Sequence, residues 1–364
     1  MRKQVVALCA TLAISTPARA EIVSFEEKDG AARASFKIEG KPYTLDFRLL
    51  RPGAPVPGAG LLIDTAPDDG LDAFAVSRGM TVATVDLEKL PAAARAGAAA
   101  DLAAWLRGVT GAKRLLARGK GETGAGLVAA AVDGLLLQET AAAAPKGPRV
   151  IETWGADAYW RATPRPLPER EGDNHRSFFV AGTAGAPDGA NCAAPVNSRS
   201  GAPALRALLV LLDDWTKGIK PPPSRAPLEA DLVTADTLSW PKIPGLPTPP
   251  PGARKVPKID PDGNELSGLR LPDQALPIAT FTGFNAQKDR KGPACAAGAA
   301  IPFPATRADR EKAGDPRPSL MERYGSRAYF VATMRVLADK LVKERLLLKE
   351  DADAYVAAAR QAPF

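Results

Sequence analysis

The sequence predicts an α/β protein: a mainly parallel sheet with helices on both faces, an N-terminal β-hairpin, a proline-rich wrapping segment and C-terminal helices. Three observations lead there. Between residues 61 and 183, short runs of Leu, Val, Ile and Phe alternate with longer Ala- and Leu-rich stretches, an order that demands right-handed crossovers and a parallel sheet. Ahead of that block, residues 21–50 alternate apolar and polar positions with period two. Beyond it, prolines accumulate in 217–257, where Pro221, Pro222, Pro223 and Pro249, Pro250, Pro251 impose extended backbone that cannot join a sheet ladder.

The elements follow in order. Residues 34–38 and 43–49 flank Glu39, Gly40 and Lys41 as a hairpin. After the loop RPGAPVPGAG the reading is strand 61–64, helix 69–78, strand 81–87, helix 92–109, strand 114–117, helix 123–132 and strand 135–138. Strands 149–152 and 177–183 extend the sheet, and helix 203–215 presents Leu205, Leu208, Leu209 and Leu212 to it. The proline-rich stretch carries Leu232, Leu238, Trp240, Ile243 and Leu246, enough apolar anchors to lie against the body. Helices are expected over 306–313, 320–347 and 349–359. No internal repeat is visible. The organisation expected is a leader over 1–20, a core over 21–220, a wrapping segment over 221–300 and a helical tail over 301–364 of the same domain.

The leader has a basic start at Arg2 and Lys3, an apolar run from Val5 to Ile14 and an Ala18-x-Ala20 cleavage pattern. A run of about ten residues is half of what crosses a bilayer. Leu8 is too bulky for a lipid-attachment signal at Cys9, so cleavage after Ala20 and a periplasmic or secreted chain with no membrane span are expected. The formal net charge is +7, and three of its cations, Arg2, Lys3 and Arg19, sit in the leader. No basic stripe interleaved with aromatics, zinc-finger spacing or helix-turn-helix pattern is present, which argues against a nucleic-acid partner. Cys192 and Cys295 either pair in an oxidising compartment, closing a loop of about a hundred residues worth about 2–4 kcal/mol, or stay as two buried thiols. With one histidine, His175, and no ligand spacing, neither a metal nor a cofactor is expected.

Residues 112–131, AKRLLARGKGETGAGLVAAA, have the local shape of a nucleophile elbow, a strand turning sharply through glycines into a helix. Placing Ala117, Arg118, Gly119, Lys120 and Gly121 on the five motif positions leaves Gly119 at the tip, with no side-chain oxygen or sulfur to attack a carbonyl.

Residues 204–225 (ALRALLVLLDDWTKGIKPPPSR), 259–285 (IDPDGNELSGLRLPDQALPIATFTGFN) and 301–330 (IPFPATRADREKAGDPRPSLMERYGSRAYF) closely resemble the C-terminal half of the bacterial α/β-hydrolase domain family. The resemblance covers about 146–364 well and 61–137 through element order alone. It implies an α/β-hydrolase-like, exported, esterase-like protein. The family's serine lies in a GxSxSG turn and its histidine in an AGTQHGP-like stretch. Against ARGKGE and AGTAGAP here, Gly119 stands for the serine and Gly185 for the histidine, while Asp157 in ADAYW matches the acid. The family's large insertion has no room in 138–149.

Replacements are poorly supplied. His175 precedes its strand, at the opposite end from the carboxyl ends where such sheets do chemistry, and reads as a surface residue. Thr123 reads as a helix N-cap beside Glu122, with Lys120 the only base near in sequence. The stretch from Asp260 to Glu265 briefly resembles a calcium loop, but Leu271 stands where the twelfth ligand belongs, so a tight turn with positive φ at Gly263 and Asn264 is expected. Asp315, Arg317, Glu322, Arg323 and Arg327 read as an ion-pair network, and Trp154, Tyr159 and Trp160 as core packing. Two functions fit. One is a catalytically degenerate hydrolase fold (a pseudoenzyme) that binds a small ligand or protein partner, with Gly121, Glu122 and Thr123 at the helix start as the contacts. The alternative is an active esterase-like hydrolase with a relocated nucleophile.

Overall fold

The computed structural model describes residues 20–28, 30–38, 41–54, 56–66, 70–140, 147–160, 171–184, 191–289, 295 and 297–364. The leader before Ala20 and the family histidine position, Gly185, lie outside them.

A nine-stranded sheet organises the chain, in the order β1-β2-β3-β5-β4-β6-β7-β8-β9. The strands are β1 (Ala20–Lys28), β2 (Ala31–Ile38), β3 (Lys41–Leu50), β4 (Leu61–Asp64), β5 (Thr81–Val85), β6 (Leu115–Lys120), β7 (Gly134–Gln138), β8 (Arg149–Gly155) and β9 (His175–Val180). The expected hairpin is a three-stranded antiparallel meander, because residues 20–28 pair along β2 as well. From β5 across to β9 all neighbours are parallel. The chain switches direction at β4, from which β5 goes one way and β6 the other, and this is where open α/β sheets leave a crevice at their carboxyl ends.

Both faces are covered. On one, α2 (Ala92–Thr110) and α3 (Gly121–Leu127) lay Ala94, Ala98, Leu102, Leu106 and Leu127 against Leu61, Ile63, Leu115, Ala117, Leu135 and Leu137. The other face receives α1 (Leu71–Ser77) and α4 (Ala202–Thr216), which pack Leu71, Ala75, Leu205, Leu208 and Leu212 on Leu62, Val82, Leu116 and Leu136. Each such fully buried leucine contributes about 1.5–3 kcal/mol.

The proline-rich segment wraps as expected and does one thing more. The N–H of Arg225 donates to the Ser177 carbonyl (2.9 Å) and that of Phe179 to Arg225, while the Leu269 N–H donates to Phe179 (2.7 Å) and that of Ala181 to Leu269, so passing chain covers the β9 edge. Trp160, Trp240 and Phe284 then close over that side with ring centroids 5.1–5.9 Å apart. Short ladders β10 (Leu232–Thr234) with β11 (Lys255–Pro257), and β12 (Ala279–Thr282) with β13 (Ala299–Pro302), staple the segment. Cys192 and Cys295 form a disulfide, Cα atoms 5.6 Å apart.

After α5 (Pro272–Ala275), the tail comprises α6 (Arg307–Ala313), α7 (Leu320–Tyr324), α8 (Arg327–Lys343) and α9 (Lys349–Ala359). The single helix expected over 320–347 is broken at Gly325, whose φ of +66° no helix accommodates, and Ser326 caps the restart. Among the described residues no helix is long and apolar enough to cross a membrane.

Candidate functional site

Strand β6 runs three residues beyond its expected end, since Gly119 pairs with Leu137 and Lys120 with Gln138 of β7. Gly119 is therefore inside the strand. The turn falls two residues later, at Gly121, whose φ is +54°. Packing separates the two glycines. A Cβ on Gly119 would lie 2.6 Å from the Gly124 Cα and 2.7 Å from a Leu127 methyl, so a serine cannot be seated there without moving α3. A Cβ on Gly121 would meet open space. The glycine at 124 is equally enforced, because its Cβ would lie 2.3 Å from the Thr140 hydroxyl oxygen.

Three hydroxyls surround the turn, and all donate to backbone carbonyls. Thr65 donates to Arg118 (3.0 Å), Thr123 to Lys120 (2.7 Å) and Thr140 to Gln138 (3.1 Å). Thr123 is thus not the helix cap; Lys120 holds that position, and the Thr123 hydroxyl reaches back to it from the first turn. A nucleophilic hydroxyl gives its proton to a base. These staple the backbone instead. Glu122 is exposed and ion-paired with Arg95 (3.2 Å), and Lys120 Nζ lies 3.9 Å from Glu139.

Acyl transfer on this scaffold also uses an N–H from the loop after the strand beside the elbow. Here the Thr65 N–H donates to the Arg118 carbonyl (3.0 Å) and that of Ala66 to the Asp64 carboxylate (2.9 Å), so both are engaged internally. The Asp64 carboxylate in turn receives Arg118 Nη1 at 3.1 and 3.2 Å, and Arg118 Nε donates to Gln138 (2.7 Å). Arg118 and Asp64 are both fully buried. This brace across the ends of β4, β6 and β7 was not singled out from sequence, although a lone arginine inside the apolar run LLARG is its signature.

Asp157 lies on a 3-10 turn, Ala156–Trp160, after β8 and is buried. The Ala156 N–H donates to the Thr183 carbonyl (2.8 Å), which ties this turn to the end of β9. Gly283 seals the turn from above, as a Cβ there would come within 2.4 Å of the Asp157 nitrogen. Trp154, Tyr159 and Trp160 pack in the core with Phe179 and Phe284.

His175 is not on the surface. It opens β9, is 5% exposed, and its Nε2 lies 3.4 Å from buried Glu152 of the neighbouring strand β8. It is at the amino end of the strand, opposite the elbow. The Asp260 turn has positive φ at Gly263 only. Asn264 is instead an anchor, donating to the Ala279 carbonyl and accepting from the Phe281 N–H. The acidic and basic tail residues form separate pairs rather than one network: Arg317 with Asp315, Arg310 with Glu322, Arg323 with Asp262, while Arg327 donates to the Phe364 carbonyl. Among the described residues no group of three or more His, Cys, Asp or Glu is placed to hold a metal ion.

Residues 156–357, more than half of the chain, match the alpha/beta hydrolase domain. Among solved structures, the chain is similar to Candida antarctica lipase A in its closed state (9% identity, TM-score 0.27), covering 33% of this chain and 42% of the lipase. It is similar to a Xanthomonas campestris α/β serine hydrolase without lid (14%, TM-score 0.28; 35% and 72% covered). A third is the Shigella flexneri enterochelin esterase (10%, TM-score 0.27; 36% and 46%). The chain thus spans less than half the length of the lipase and of the enterochelin esterase. No curated protein matches it. On the domain match, this chain belongs to the alpha/beta hydrolase domain family.

Proposed function

We propose that this is an exported member of the family that has lost acyl-transfer chemistry and binds a small ligand or a protein partner at the carboxyl end of the sheet. One observation carries the reading: the turn that presents a nucleophile ends in Gly121, which offers no attacking atom, while the space for one stays open. In this register the motif GKGETG matches the family's GxSxSG with Gly121 in place of the serine, so we reassign the vacated position from Gly119 to Gly121. The position of the one histidine supports the same reading. The only histidine, His175, belongs to the amino end of β9, and the glycine at 185 has no imidazole for Asp157 to orient. Losing nucleophile and base together removes nearly all acyl-transfer rate.

Ligand contact is assigned to the first turn of α3, Gly121, Glu122 and Thr123, where the backbone N–H groups have no partner within the helix. Export rests on the leader; the disulfide, and the lack of a spanning helix among the described residues, are compatible with it. The test is twofold. Purified mature protein is expected to give no turnover of short acyl esters and no fluorophosphonate adduct, and to show a thermal shift with a small carboxylate or ester. Specific labelling of one side chain, Thr123 foremost, would establish a relocated nucleophile instead.

A further inference from the structure

Beyond the carboxyl end of β9 lies a carboxylate the proposed function does not use. Glu265, in the turn that follows Asp260, is buried. One of its oxygens accepts the N–H of Gly182, just past β9, at 2.8 Å, and the other accepts that of Gly283, just past β12, at 3.5 Å. Both glycines are enforced by close approach: Gly182 has φ of +66° and no room for a Cβ against Gln274, and Gly283 is pressed on Ala156. Arg199 braces the arrangement by donating to the Ala181 and Gly182 carbonyls at 3.1 and 3.0 Å. A single carboxyl therefore bridges the segment that leads toward residue 185 and the segment that covers the Asp157 turn.

We propose that Glu265 is a proton-linked clamp joining the segment after β9 to the segment after β12, so that the two segments part more readily as the pH rises. The charged groups around it work against one another. Burial disfavours the ionised form, while the two N–H donors and Arg199 favour it; Arg199 is itself paired to Asp273 of α5 and faces Tyr355 of α9. Of the other acids in its turn, Asp262 is paired to Arg323, and Asp260 accepts from the N–H groups of Asp262 and Asn264. Burial wins, and the carboxyl is pushed up to about 7. Opening exposes the group to water, where it loses its proton to solvent, so opening is linked to release of one proton. As a regulatory device it rests on the reading of these strand ends as a ligand cleft. The clamp itself rests only on its contacts.

Amide hydrogen exchange on the full chain, read over 180–184 and 281–285 and corrected for intrinsic rates, tests it. The opening equilibrium is expected to rise by up to about tenfold per pH unit from about pH 5 and to level off above about pH 7. Glu265→Gln, neutral and of the same shape, is expected to give a flat profile. Peptides from 115–120 are expected to show no such slope in either protein. A flat wild-type profile, or an unchanged slope in Glu265→Gln, overturns the clamp. If the variant does not fold, the wild-type profile decides alone. Ester turnover and probe labelling are read separately, so a flat exchange profile leaves the binding function standing.

Discussion

Around Gly121 the chain is held by glycine packed on glycine, with Gly119 against Gly124 and short hydroxyls tying the backbone to itself; around Gly182 it is held by charged and amide side chains, Glu265, Arg199 and Asn197 bonded to its backbone and Gln274 bonded to Arg199. The first arrangement is steric. The second depends on buried polar groups whose protonation and pairing set its strength. On the proposed reading, close packing alone keeps the shape of the turn without an attacking group, while the clamp at Glu265 leaves the other region adjustable by solution conditions.

The largest effect is expected where the elbow region breaks its own rule and buries charge. Arg118→Met leaves Asp64 buried without its guanidinium, and a loss of about 3–5 kcal/mol in urea unfolding is expected. A loss below about 1 kcal/mol would mean that the brace is not what holds β4, β6 and β7 together at their ends. Next comes the region around Gly182. The Glu265 carboxyl is held above its usual value, so its favourable contribution to stability is fully present below about pH 4.5 and is lost as the pH rises through about 7. The loss amounts to about 3 kcal/mol over that window, and Glu265→Gln flattens this part of the stability profile. The smallest effect separates the two glycines. Gly119→Ala is expected to cost about 2 kcal/mol through overpacking and Gly121→Ala about 1 kcal/mol through its left-handed backbone. Equal costs, or the reverse order, would return the tip of the elbow to Gly119.

The parallel core was legible because each element carries its own period. Strand 61–64 and helix 349–359 have the same bounds in sequence and structure, while α2 differs from expectation by one residue at one end and α4 by one residue at each end. The elbow was legible as a kind of turn and not as a position. Its glycines at 119, 121 and 124 look alike in a local window, and the one that turns is chosen by how far β6 stays paired with β7. His175 is buried beside Glu152 of the neighbouring strand, a tertiary placement that a local reading of the strand start does not contain. Glu265 carried no signal beyond a turn.

By itself the sequence determined the alternation of strands and helices, because hydrophobic period is a local property, and it determined that one histidine serves the whole chain, because composition is not changed by folding. Only the tertiary structure decided which glycine makes the turn after β6, which polar groups lost their water and which loops share a carboxylate. Those outcomes depend on register and burial between segments as far apart in the chain as Gly182 and Glu265, and no local stretch of sequence contains both partners.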